Sequence, residues 1–293
     1  MAFYICKRGH MHTTTQTDDK SISADLFSIK VSQRRSIAML TGSLLLSAVS
    51  MSVNAGSFIS STEYLPYQLP SNIQETCDKR DNCPEIEVKY LKSSQNWIDE
   101  ITNARIDNLV VNSQIIESAP IKGKSSEKEV KDALDSFVSS QFQDMPDDVS
   151  WGYNLMVAPN YLGHVDDFEL FEISSYVYTG GAHGMPYSEY LVFDPSTKKQ
   201  VTLDDMLISG KKPRFEALAY DAYKGWVKTV AEDVSNYEKN WPFTLSNNVT
   251  LTDTGVSIRY QHYSIGPYAY GMPVLNIPYS KLDKVIKPHF IPK

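Results

Sequence analysis

Val165-Asp166-Asp167-Phe168-Glu169-Leu170-Phe171-Glu172-Ile173-Ser174-Ser175-Tyr176-Val177-Tyr178 is crowded with aromatic and β-branched side chains. Such residues fit the pleated surface of a sheet, so the stretch reads as strand, as does Trp151 to Tyr161 before it. The residues upstream carry a different period. Val130, Leu134, Phe137, Val138 and Phe142 recur at helical spacing between Glu127 and Gln143, and Met145-Pro146-Asp147-Asp148 stops that helix. Before it, Glu85 to Leu91 alternates charged and apolar groups as a strand does. Ser93 or Ser94 is placed to cap a helix carrying Trp97, Ile98, Ile101, Ala104, Ile106 and Leu109. Residues 56–83, punctuated by Pro66 and Pro70, read as loop.

Downstream the strands continue. Tyr187 to Phe193 is one, ended by Asp194-Pro195. Phe215, Leu218, Ala219, Ala222, Trp226 and Val230 mark a long amphipathic helix opening near Pro213. Asp253-Thr254-Gly255 fits a hairpin turn between Val249–Leu251 and a strand in which Val256, Ile258 and Tyr260 alternate with Ser257, Arg259 and Gln261. That alternation predicts one covered face and one wet face. Met272 to Ile277 is the last strand and Tyr279 to Ile286 a short terminal helix. Helices packed on antiparallel strands define an α+β fold.

The chain has 293 residues, 42% of them hydrophobic, which suits a globular protein, and a net charge of -7, which offers no basic surface for nucleic acid. Its first 55 residues have another character. Arg34 and Arg35 precede an uncharged apolar run from Ile37 to Val53, and Val53-Asn54-Ala55 supplies small or modest residues at a signal-peptidase exit. Residues 1–55 are therefore expected to be a leader and signal peptide, cleaved in the mature protein. A run of this length, diluted by Ser, Thr and Gly, is marginal for a membrane anchor. Val31 to Ala55 alone makes a signal peptide of usual length, so translation is expected to start further downstream than Met1. Three organisational units follow: 1–55, an N-terminal α+β subdomain over 56–149, and a C-terminal α+β domain over 150–293.

Residues 1–55 hold six of the 28 basic and three of the 35 acidic residues, so the remainder carries 22 and 32, a net charge of -10. Of the three cysteines, Cys77 and Cys83 remain. A lone pair in an exported protein reads as a disulfide, and no further Cys or His lies near enough to make a metal site. The expected location is the periplasm or the extracellular medium, with no membrane span after cleavage and no cofactor.

Catalytic signatures are sparse. The chain has no H-E-x-x-H, G-x-S-x-G or Walker loop. His164-Val165-Asp166-Asp167 brings an imidazole near two carboxylates, but one short cluster reads more naturally as a solvated turn. The carboxylate pairs Glu85/Glu87 and Asp204/Asp205 are of a commonplace kind. Two segments stand apart. Tyr178-Thr179-Gly180-Gly181-Ala182-His183-Gly184 puts two glycines after a strand, where positive φ and close backbone approach turn a corner that His183 can brace. Tyr260 to Pro273 (Tyr-Gln-His-Tyr-Ser-Ile-Gly-Pro-Tyr-Ala-Tyr-Gly-Met-Pro) is dense in tyrosine, glycine and proline. Stiff aromatic rings on such a loop suit either recognition or packing on the loop's own domain.

At these segments the chain resembles RsiV-type proteins. Thr179 to Gly184, Phe193-Asp194, Val201 to Leu207, Tyr263 to Gly271 and Val274 to Tyr279 resemble, in order, motifs of their extracytoplasmic domain, which also accompanies PdaC-type peptidoglycan deacetylases. The resemblance spans roughly residues 150–290 and, more loosely, 84–145. It implies an extracytoplasmic α+β module of antiparallel sheets packed by helices. In RsiV-type anti-sigma factors such a module binds c-type lysozyme. This chain carries neither a sigma-binding segment nor a deacetylase domain, so neither activity transfers.

The resulting expectation is an exported binding module of the cell envelope for c-type lysozyme or a cell-wall component such as peptidoglycan. Gly266, Pro267, Tyr268 and Tyr270 would form the recognition loop, His183 would lie beside it, and Gly180 and Gly181 would shape the adjoining corner. The acidity suits a cationic partner. Two further possibilities stay open: an envelope enzyme acting on peptidoglycan or another glycan through His164, Asp166 or His183, and a structural or assembly factor.

Overall fold

The computed structural model describes residues 58–113, 124–144, 149 and 151–292. The leader expected over residues 1–55 lies outside the described residues, as does the Met145–Asp148 helix stop. The chain begins with β1 (Ser60–Tyr64) and α1 (Ser71–Arg80), followed by β2 (Glu85–Ser93), α2 (Asn96–Val111) and α3 (Glu127–Asp144). Then come three long strands, β3 (Asn154–Val165), β4 (Phe168–Tyr178) and β5 (Met185–Asp194), and the short β6 (Lys199–Val201). The remainder is α4 (Leu203–Met206), α5 (Lys212–Val230), α6 (Val234–Glu238), β7 (Val249–Leu251), β8 (Gly255–Arg259), β9 (Val274–Pro278) and α7 (Tyr279–Leu282). Strands β1 to β6 form one sheet in chain order, and β7, β8 and β9 form a second. Every pairing is antiparallel except β2 with β3, which α2 and α3 connect as a crossover. The architecture is α+β.

Alternation along the strands makes the six-stranded sheet serve two cores, because successive side chains point to opposite faces. Phe171, Ile173, Leu191 and Phe193 pack with Ile98, Ile106, Leu134 and Phe137 of α2 and α3. Their neighbours Leu170 and Val192 face the other way, onto Phe215, Leu218, Tyr223 and Val227 of α5 and onto Val256, Ile258, Leu275 and Ile277 of the small sheet. Each such side chain contributes roughly 1.5–3 kcal/mol on burial. Phe171 is fully buried and sits in edge contact with Phe193, so Phe171→Ala is the single change that most directly opens the first core.

Three local expectations need correction. Residues 56–83 are not all loop. β1 has four exposed residues out of five and is held by its backbone ladder to β2, so hydrophobic patterning does not reveal it. α1 is polar along most of its length and buries Ile73 and Cys77. The helix after β2 is capped at Gln95 rather than at Ser93 or Ser94. Ser93 still organises that helix start: its hydroxyl donates to Asp99 Oδ1 at 2.6 Å and accepts from the Gln95 N–H at 3.0 Å. Finally, β8 has no wet face. Ser257 is buried and donates to Asn276 Oδ1 at 2.6 Å, so its hydroxyl is satisfied within the protein.

Cys77, in the last turn of α1, and Cys83, just before β2, form a disulfide with Cα atoms 4.5 Å apart. Asp81 caps the helix with φ +54°. Among the described residues no helix is long and apolar enough to cross a membrane.

Candidate functional site

The two segments singled out in the sequence meet in space. The turn between β4 and β5 carries Gly180 at φ +102° and Gly181 at φ +89°, conformations that an L side chain rarely adopts. The loop between β8 and β9 reaches across to this turn and places Tyr268 between two imidazoles. The Tyr268 ring stacks on His183 (centroids 3.6 Å apart, 14° from parallel) and on His262 (4.3 Å, 23°). Its hydroxyl donates to the Gly184 carbonyl at 2.9 Å. The same carbonyl lies 3.1 Å from His183 Nδ1. A carbonyl only accepts, so Nδ1 donates to it, and Nε2 lies 3.4 Å from the Tyr263 hydroxyl. Burial in this stack, together with the neighbouring His183, pushes His262 below its ordinary value, against a backbone contact to Tyr268 that raises it.

The other end of the loop rests on α5 and α6. Gly266 is buried, and a Cβ there would stand 2.7 Å from the Tyr237 hydroxyl and 3.0 Å from the Trp226 ring. Tyr237 donates to the Ile265 carbonyl at 3.0 Å. Pro267 precedes a single 3-10 turn, Tyr268–Tyr270, which sets Tyr270 edge-on to Trp226. Tyr270 remains 42% exposed and Tyr263, at φ +64°, 46% exposed. Of the residues expected to make recognition contacts, Gly266 is buried, Pro267 and Tyr268 are half-buried, and Tyr270 and His183 are exposed. Tyr263 joins them at the rim.

A polar clamp that sequence reasoning missed fixes this end of the molecule. Asn248 accepts from the Tyr190 N–H and donates to the Ser188 carbonyl, both at 2.7 Å. Gln261 makes the same kind of pair with Ser188, at 3.2 and 2.6 Å. The two amides continue the ladder of β5 where, among the described residues, no strand lies beside it, tying the large sheet to the small one. Beneath them Arg259 pairs with Glu172 at 3.1 Å, donates to the Tyr190 hydroxyl at 2.6 Å and lies over the Tyr190 ring. A single Asn before β7 and a single Gln after β8 give no sequence signal of such a role.

The remaining sequence candidates lie elsewhere. His164 sits near the end of β3, paired with Glu169, with Nδ1 3.2 Å from the Asp166 carbonyl. Asp205 closes a capping box with Thr202 at the start of α4, which holds its carboxyl below the usual range, and Asp204 pairs with Lys212. Glu87 pairs with Lys89, and Glu85 accepts from Asn154. Cys77, Asp78 and Cys83 are the one group among the described residues whose donor atoms lie close enough to share an ion, and the two sulfurs are already joined as a disulfide.

Residues 193–280 match the family model described as Protein of unknown function (DUF3298). The matched segment contains the Tyr260–Pro273 loop but not the Gly180-Gly181 turn. The chain is similar in structure to a DUF3298 family protein from Pseudomonas aeruginosa PAO1, with a TM-score of 0.58 and 26% identity over 80% of this chain and 95% of that one. It is also similar in fold to a DUF3298 family member from Bacteroides fragilis NCTC 9343, with a TM-score of 0.57 and 18% identity over the same shares. No curated protein matches the chain.

Proposed function

We propose that the protein is an extracytoplasmic binding module whose contact surface is the rim formed by Tyr263, Tyr270 and His183. The observation that supports this reading is the arrangement around Tyr268. A ring held between two imidazoles and tied to the Gly184 carbonyl keeps two aromatic side chains exposed on a stiff loop. Rigid aromatic groups lose little entropy on binding, which favours their use as contact residues. The resemblance to RsiV-type domains makes c-type lysozyme the first partner to test, and the net charge of -7 suits a basic protein. The Cys77–Cys83 disulfide and the Arg34-Arg35 apolar leader support a location outside the cytoplasm.

Calorimetric titration of the purified protein with hen lysozyme at low and moderate salt tests the proposal. The expected result is saturable binding that weakens as salt rises and that drops at least tenfold in Tyr270→Ala. Absence of heat at micromolar concentration, with lysozyme activity unchanged, removes lysozyme as the partner.

A further inference from the structure

Beside the Gly180-Gly181 turn lies a cleft of about 710 Å³ between the disulfide loop and the strand ends. One wall is aromatic: Trp151, Tyr176 and Tyr178 line it, with the Trp151 and Tyr178 rings 5.3 Å apart. Glycines build this wall. A Cβ on Gly180 would stand 2.6 Å from Trp151 Cη2, and one on Gly184 would stand 2.3 Å from Tyr176 Cζ. On Gly152 it would meet the Cys83 carbonyl oxygen at 2.5 Å, so the disulfide loop is seated against the wall backbone to backbone.

The cleft is also acidic, with Glu85 on the sheet beside Asn154 and Tyr178 and two aspartates at the end of α1. Asp78, Asp81 and Glu85 line it, and among the described residues no lysine or arginine does. Arg80, adjacent in sequence, lies instead over the Phe142 ring, 5.5 Å from its centroid. Asp78 and Asp81 stand at the C-terminal end of α1, where the helix dipole is negative and adds to the field of the carboxylates. Two amides complete the lining. Asn82 is 4% exposed, and its Oδ1 has no hydrogen-bond partner among the described residues. Asn154 gives its NH₂ to Glu85, and its Oδ1 is likewise unpartnered. Buried acceptors without donors are rare in folded proteins.

We infer that this cleft is a receptor for a cationic side chain, an alkylammonium or guanidinium group presented by a basic polypeptide. Such a group supplies N–H donors to the carboxylates and amide oxygens and places positive charge against the aromatic faces. A neutral sugar would stack on the same rings but would leave the charge of Asp78, Asp81 and Glu85 uncompensated. The site is separate from the Tyr263–Tyr270 rim and stands whether or not the rim binds lysozyme.

Tetralysine and tetra-arginine, titrated into the purified protein and followed by calorimetry and tryptophan emission, test the assignment, with chitotetraose as the neutral glycan. The expected result is saturable single-site binding of the basic peptides. It should weaken at least tenfold in Asp81→Asn/Glu85→Gln and stay unchanged in Tyr270→Ala and in the charge-matched control Glu216→Gln/Glu232→Gln, whose residues are exposed on and just after α5. In Trp151→Phe the emission change should disappear, which keeps the test open if the acidic double variant fails to fold. Equal weakening by the control pair would show diffuse attraction to an acidic surface and overturn the assignment. So would the absence of saturable binding, or chitotetraose binding that depends on the same residues.

Discussion

Tyr268 lies flat against His183, ring centroids 3.6 Å apart, although 84 residues separate Tyr268 from Gly184, whose carbonyl both side chains address. This contact locks the loop of the small sheet to the turn of the large one. Tyr268→Phe keeps the stack and loses one hydrogen bond, so it should lower stability by about 1 kcal/mol. Tyr268→Ala also loses the ring packing and should lower it by roughly 2–4 kcal/mol. Urea unfolding of the two variants checks the difference; equal losses would show that the stack contributes nothing.

His262 gives the stack a pH dependence. Its proton affinity is lowered in the folded state, chiefly by burial and further by His183. The unfolded chain then binds the proton more readily, so stability should be full above the ordinary value of 6.5 and decline as pH falls below it. His262→Phe keeps a flat ring against Tyr268 and cannot titrate. Stability measured between pH 7.5 and 5 should fall less steeply in this variant than in the wild type, and parallel curves would refute the assignment.

Asn248 bonds two backbone groups of β5 that no strand reaches. Asn248→Ala leaves both without that partner and should cost roughly 2–4 kcal/mol. Amide hydrogen exchange should accelerate at Tyr190 more than at Phe171, which lies in the central ladder. Uniform acceleration would mean a global rather than a local effect.

Two glycine substitutions should act in opposite directions. Gly225 is exposed within α5, and a Cβ there meets nothing within 4 Å, so Gly225→Ala should stabilise by roughly 0.5–1 kcal/mol. A Cβ on Gly255 would lie 2.2 Å from the Ile277 carbonyl oxygen, which is backbone and cannot swing away, so Gly255→Ala should destabilise by roughly 1–3 kcal/mol. Thermal melting of both variants tests the pair.

Cutting the short Cys77–Cys83 loop, by reduction or in Cys77→Ser/Cys83→Ser, should lower stability by about 2 kcal/mol on the loop-entropy model. It should also weaken tetralysine binding, since Asp78 and Asp81 sit inside that loop. Unfolding with and without reductant measures the first effect and the peptide titration the second.

Hydrophobic periodicity made most of the fold legible. The α3 stripe through Val130, Leu134 and Phe137 and the strand-rich stretch Val165–Tyr178 needed no tertiary information, and neither did the Thr179–Gly184 corner. β1 was invisible because backbone pairing holds it, not side chains. The wet face assigned to Ser257 was wrong because Asn276 on the neighbouring strand satisfies its hydroxyl. At the candidate site, the sequence singled out the tyrosine loop but not which of its tyrosines pack inward and which face solvent. That division depends on His183 and Trp226, which approach from distant parts of the chain. Trp151 gave no hint of its place in the acidic cleft, since its neighbours there come from three separate segments.

The parallel pairing of β2 with β3 has a kinetic consequence. As the polypeptide emerges from its N-terminal end, β1, α1 and β2 can associate through local contacts. The Glu85–Val88 edge of β2 stays open until the whole α2–α3 crossover and β3 have followed. Loop closure of that length is slow, and an unsatisfied strand edge is exposed meanwhile to pairing with other chains. The step that most needs protection during biogenesis is therefore the docking of β3, well before the loop that carries the tyrosine rim has been made.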